Sequence, residues 1–260
     1  MQHQMLGRQD YPYEAVMPAV AQHHTELVVG IALAFVFIWG AIKLVKHKEA
    51  RLLICMITGF VCVLNESHAM GMLNFVYPPV GQHVLYVGFS GPVPWFMGME
   101  YCAFFGIANA MYLNSVLGRG WSATAFWIGT ASLIAAEALL EVVSIDLGLW
   151  AYFDDQANMI LDFPVHVAVL VSGISMVFGA ATRLWFGYIK GAQQWLLILV
   201  GPAIFVGVFS VYAYPASFGI ESAGGVDSAR IGSTITIIVS LTAAYYVTKL
   251  LSSIPQPRNG

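Results

Sequence analysis

Charge is the scarcest property of this chain. Only 10% of its 260 residues are Asp, Glu, Lys or Arg, and 58% are hydrophobic. An ordinary soluble domain is about 25% charged, so a conventional soluble fold is excluded and a polytopic membrane protein is indicated. Cysteine is scarce too. Cys55, Cys62 and Cys102 all sit in apolar runs, too few and too scattered for a disulfide framework or a zinc site; they read as small buried hydrophobes. No H-x-x-x-H or E-x-x-H pairing offers a helix-borne metal site. No basic patch or aromatic stacking motif suggests nucleic acid, and a net charge of -3 adds nothing to that question. The opening segment MQHQMLGRQDYPYEAVMPAVAQHH lacks a basic stretch followed by an apolar core, so a cleavable signal peptide is not expected. No internal repeat is evident, which weighs against an inverted-repeat transporter. No lysine lies in the middle of an apolar stretch. Lys249 falls at the end of the last one, which disfavours a retinal protein.

What remains is long apolar windows. Crossing about 30 Å of hydrocarbon takes roughly 20 residues, and seven windows qualify, at about 26–46, 52–73, 94–116, 121–145, 163–187, 194–214 and 231–251. The expected architecture is an all-α integral membrane protein. It has an extracytoplasmic segment 1–25, a seven-helix domain 26–252 and a cytoplasmic tail 253–260. Lys43, Lys46, Lys48, Arg51, Arg119, Arg183, Lys190, Lys249 and Arg258 fall on one side of these windows, and only Arg8 and Arg230 on the other. The positive-inside rule puts the nine in the cytoplasm, with the N-terminus outside and the C-terminus inside. The expected location is a cytoplasmic membrane, bacterial and multi-pass.

Against that background VCVLNESHAM, residues Val61–Met70, is anomalous. Asn65, Glu66 and His68 interrupt an apolar span, where an ionisable group is costly unless compensated. At 1.5 Å per residue they lie in the outer half of the second span. Glu100 falls near the outer end of the third span, and Glu137 and Glu141 near that of the fourth. Their i, i+4 spacing places the last two on one helix face. Asp146, Asp162, His166, Tyr212 and Tyr214 follow at the same level. Burial and like-charged neighbours both favour the neutral acid, so at least one of Glu66, Glu137 and Glu141 is expected to be protonated at neutral pH and able to act as a general acid. Plainer readings stand beside these. Glu100 could be interfacial, Glu141 and Asp146 could cap a helix, His166 could be a helix-start histidine, and His83 could be solvated. Asp154 and Asp155 lack the second aspartate of a diphosphate-binding DDxxD motif and read as a loop.

Three stretches carry a resemblance: NESHAMGMLNFVYPPVGQHVLYVGFSGPVPWFMGMEY, ALLEVVSIDLGLWAYFDDQ and LDFPVHVAV. A membrane glutamate precedes Tyr-Pro, then come an aromatic Gly-Pro run, a second glutamate, G-x-W-x-Y, a Gln and Phe-Pro. Over about residues 65–170 this resembles the avermectin-type spirocyclases, small polytopic proteins of polyketide pathways that close spiroketals and can dehydrate. The chain departs from that pattern at FSGPVP, where an arginine is expected near the Gly-Pro turn, and at NES, where Glu-Pro is expected. A weaker resemblance is to the membrane-integral terpene cyclases of meroterpenoid pathways, in which a glutamate of the second span shortly precedes Tyr-Pro, here Glu66 and VYPP. Asn65 stands where those proteins usually have tryptophan.

Both resemblances imply acid–base chemistry on a lipophilic substrate, with aromatic walls steadying a cation and neither metal nor redox cofactor required. The expected function is a cofactor-independent cyclase or dehydratase acting on a polyketide or isoprenoid. Glu66 is the expected proton donor, Asn65 and His68 are expected to orient it, and Glu137 to be its nearest acidic partner. Glu141 and His166 complete the catalytic candidates. Tyr77, Trp95, Glu100, Tyr101, Trp150, Tyr152, Asp162 and Tyr212 join Asn65 as candidate substrate contacts. A membrane metalloenzyme and a non-catalytic carrier, channel or receptor are the alternatives. Expected partners are the bilayer and the lipophilic substrate; oligomeric state is left open.

Overall fold

The computed structural model describes residues 14–113 and 121–254. The orientation charges Arg8, Arg119 and Arg258, the end of the third window and most of the C-terminal tail lie outside the described residues. The structure is 76% helical. Six of its helical stretches are long and apolar enough to cross a membrane.

The helices follow the apolar windows. Helix α1 (Ala19–His47) is closed by Lys48 in the left-handed conformation, its N–H donating to the Lys43 carbonyl. Helix α2 (Arg51–Cys62) tightens into a 3-10 turn at Val63–Asn65 and resumes as α3 (Glu66–Leu73). Helix α4 (Trp95–Tyr101) begins directly after Pro94. Proline suits a helix start because the first N–H groups have no intrahelical partner. It widens into a π-helix over Cys102–Leu113. Helix α5 (Ala123–Asp146) is capped by Ser122, whose hydroxyl accepts from Ala125 N–H. Helix α6 (Val165–Tyr188) starts after Pro164. A 3-10 turn at Gly191–Leu196 leads into α7 (Leu197–Glu221), and α8 (Gly225–Ser253) ends the described chain.

Burial ranks these helices. Most of α6 is buried, whereas α1 buries only Gln22 and Gly40. The centre of the bundle is therefore α6, with the π-helix, α5, α7 and α8 packed around it and α2 laid against the π-helix and α7. Small residues allow the close crossings, as expected where lipid supplies no hydrophobic drive between helices. A methyl group on Gly59 would lie 2.6 Å from Gly106 N and from the Tyr101 carbonyl, and one on Gly106 would lie 2.7 Å from the Cys55 carbonyl. The α2 backbone thus rests directly on the π-helix.

The long segments between helices are ordered by short antiparallel ladders. Strand β1 (Phe75–Val76) pairs with β4 (Ala151–Tyr152), and Phe75 faces Tyr152. Strands β2 (Val84–Gly88) and β3 (Gly91–Pro94) form a hairpin, and β5 (Met159–Ile160) pairs with β6 (Phe163–Pro164). The β1–β4 ladder ties the segment after α3 to the segment after α5. Gln156 strengthens the tie by donating to the Leu73 carbonyl at 2.9 Å, and Phe153 N–H donates to the Asn74 carbonyl at 2.9 Å.

Candidate functional site

Beneath that ladder lies a cavity whose empty space, counted out to its mouth and including open solvent, is about 640 Å³. Four glutamates from separate parts of the chain line it: Glu66 from α3, Glu100 from α4, and Glu137 and Glu141 from α5. None is more than 8% exposed.

Two of them are held from both sides. Tyr77 OH donates to Glu66 Oε1 in a very short hydrogen bond, and Tyr101 OH donates to Glu66 Oε2 at 2.5 Å. Trp150 Nε1–H donates to Glu141 Oε2 at 2.8 Å, and Tyr152 OH to Glu141 Oε1 at 2.9 Å. The ladder sets these donors. Tyr77 follows β1 by one residue, Trp150 precedes β4 by one, and Tyr152 lies within β4. Edge-on ring contacts lock them, Tyr77 on Phe75 at 5.6 Å and on Trp150 at 5.9 Å, while Phe96 stacks on Trp150 at 6.4 Å. Burial pushes the Tyr77 and Tyr152 phenols well above 10, and the neighbouring Glu66 and Glu141 carboxylates add to it. Both stay protonated, hence donors, at any physiological pH.

The other two glutamates have no such support. Glu100 Oε2 is buried with no hydrogen-bond partner. Glu137 sits one turn before Glu141 on the same helix face. No Lys, Arg or His among the described residues lines the cavity. Among the described residues, no group of three or more His, Cys, Asp or Glu is arranged to hold a metal ion. The walls are otherwise apolar and aromatic, including Phe75, Phe104, Phe105, Phe205 and Phe209. Its half-buried lining residues, Phe104, Leu140, Tyr152 and Val171, mark the open side.

The cavity gathers Glu66, Tyr77, Glu100, Tyr101, Glu137, Glu141, Trp150 and Tyr152 from the sequence candidates. It leaves six outside. Asn65 and His68, expected to orient Glu66, turn to α7 instead: Asn65 Nδ2 donates to the Pro202 carbonyl at 3.3 Å, and His68 Nε2 pairs with Ser210 Oγ at 2.9 Å. Trp95 is half-exposed and rests near Phe60. Asp162 is exposed in the β5–β6 turn with φ 61°. Tyr212 is buried on α7 away from the lining. His166 is wholly buried with both ring nitrogens unpartnered, and its neighbour Val167, not His166, reaches the cavity. The phenylalanine walls carried no sequence signal, since an aromatic in an apolar helix is equally at home facing lipid. Comparison with protein-family models, with curated proteins and with solved structures found no match to this chain.

Proposed function

We propose that this protein is a membrane-embedded acid–base cyclase or dehydratase, spirocyclase-like, acting on a lipophilic polyketide or isoprenoid. In this reading seven helices cross the bilayer, the stretch Trp95–Leu113 supplying the seventh, with the N-terminus outside and the cavity in the outer half. The substrate enters from the lipid through the side marked by Phe104, Leu140 and Val171. The observation that carries the reading is the convergence of four buried carboxyl groups on one aromatic cavity, with no Lys, Arg or His among the described residues lining it.

The hydrogen bonds divide the labour. An oxygen held by a fixed donor is oriented to receive a proton; a carboxyl group that faces no donor is free to give one. Glu100 and Glu137 are accordingly the donors, a role the sequence reading gave to Glu66. The acid proton passes to a substrate oxygen or alkene, leaving a carboxylate and a cationic carbon. A substrate hydroxyl adds to that carbon and releases its proton, closing a ring. Alternatively an adjacent C–H gives up its proton, forming an alkene with loss of water. Glu141 or Glu66 accepts the released proton, so charge and protons balance. The terpene-cyclase variant differs only in using an alkene as the internal nucleophile.

Purified protein reconstituted in lipid is incubated with hydroxyketone polyketides and with prenylated epoxides, and products are read by mass and retention. An isomer or a product lighter by one water is expected. Glu100→Gln or Glu137→Gln should lose about 10²–10⁴-fold in turnover at an unchanged melting temperature. No product from either panel, together with proton or cation flux across the same vesicles, overturns the reading in favour of a carrier.

A further inference from the structure

A lipid-facing cavity gains nothing from buried negative charge unless something positive meets it. Among the described residues none does, since no Lys, Arg or His lines the cavity, and Glu100 is the plainest case. Its Oε2 is buried without a hydrogen-bond partner, although Tyr101 and Trp150 in the same walls spend their donors on Glu66 and Glu141. The ring faces add to the demand. An aromatic face carries partial negative charge and attracts cations, so the carboxylates and the rings favour a guest of the same sign. The absence of any metal-holding group among the described residues points to a large, diffuse cation rather than a compact one.

We propose that the cavity binds a lipophilic organic monocation of the alkylammonium class. Its head lies against the aromatic walls and the carboxylate that Glu100 becomes once it has given up its proton, and its chain leaves past Phe104 and Leu140. The proposal rests on the reading that this cavity is the ligand site, but it does not require turnover. An ammonium ion here is a stable imitation of the cationic carbon that acid-started cyclisation would produce.

Hexyltrimethylammonium and its uncharged carbon isostere, 2,2-dimethyloctane, match in shape and differ in charge. The full chain in maltoside micelles is titrated with each at matched mole fraction in the micelle, and the melting temperature and saturable binding are read. The ammonium ion should bind at least about tenfold more tightly than the isostere, as a desolvated cation–aromatic contact allows. Glu100→Gln should shrink that margin, whereas Glu26→Gln, whose carboxylate lies outside the cavity against His83, should leave it intact. Equal binding of the two probes by the unaltered protein overturns the proposal, and that comparison stands even if a variant fails to fold. A margin undiminished in both Glu100→Gln and Glu141→Gln overturns it as well. Ammonium preference with no turnover on either substrate panel and with ion flux across the vesicles sinks the cyclase reading and leaves this one standing; turnover without preference does the reverse.

Discussion

Hydrogen-bond grammar separates the four glutamates. An indole N–H can only donate, whereas a phenol can also accept. Trp150 therefore fixes Glu141 Oε2 as an acceptor. A glutamine at 141 can still offer its carbonyl to Trp150 and its amide to Tyr152, so Glu141→Gln should keep the fold. Trp150→Phe strands the carboxylate oxygen instead, and a buried acceptor left unsatisfied costs about 1–3 kcal/mol. Guanidinium or thermal melts of the two variants should show that order. The phenols give a pH test. Tyr77 and Tyr152 ionise well above 10 in the folded protein and near 10 when unfolded. Above pH 10 the unfolded chain loses protons that the folded one keeps, so stability falls as pH rises. Melting temperature should hold steady from pH 7 to about 9 and decline above about 10, less steeply in Tyr152→Phe. Glu66, Glu137 and Glu141 were legible in the sequence because an ionisable group in an apolar run stands out. Their partners were not. Asn65 and His68 looked right by adjacency, but side chains one and two positions apart do not share a helix face. The true partners, Tyr77 and Tyr101, reach Glu66 only after the chain has turned back through β1 and the β2–β3 hairpin.

Among the elements, six of the seven windows fall on helices long and apolar enough to cross a membrane, because hydropathy reports span length directly; the third falls on the short α4 and the π-helix instead. Helix α7 continues through Pro215 to Glu221, beyond the expected end at 214, since neighbouring helices can re-satisfy what a proline frees. Here Thr236 Oγ1 accepts from Ala216 N–H at 3.0 Å. The three ladders and the π-helix were not legible. Two-residue strands carry no period, and the wider helix depends on how α2 packs beside it. That packing is open to a matched test. Gly59→Ala places a methyl group 2.6 Å from backbone atoms of the π-helix, whereas a methyl group on Gly207 meets nothing within 4 Å. Overpacking costs about 1–3 kcal/mol, and Gly→Ala in an open helix position gains up to about 1 kcal/mol. Gly59→Ala should therefore melt lower and lose activity through displaced Tyr101, and Gly207→Ala should melt unchanged or higher. Equal melting of the two would mean that the α2 crossing is looser than described.

For the whole molecule, orientation decides which side of the cell the cavity serves. Reporter fusions after Lys48, Arg119 and Lys190 should read cytoplasmic, and fusions near Pro79, Asn158 and Ala223 external. An external reading after Lys48 would move the four glutamates to the inner leaflet. The cavity's open side has a kinetic consequence of its own. A catalyst that draws its substrate sideways from lipid responds to surface mole fraction, not to bulk concentration. Adding inert phospholipid at fixed substrate and protein should then slow turnover through a rising apparent KM while kcat stays put, and diluting the whole suspension with buffer should change neither. A catalyst fed from water would respond to the buffer, so two dilutions of one vesicle preparation tell a membrane-fed active site from a solvent-fed one.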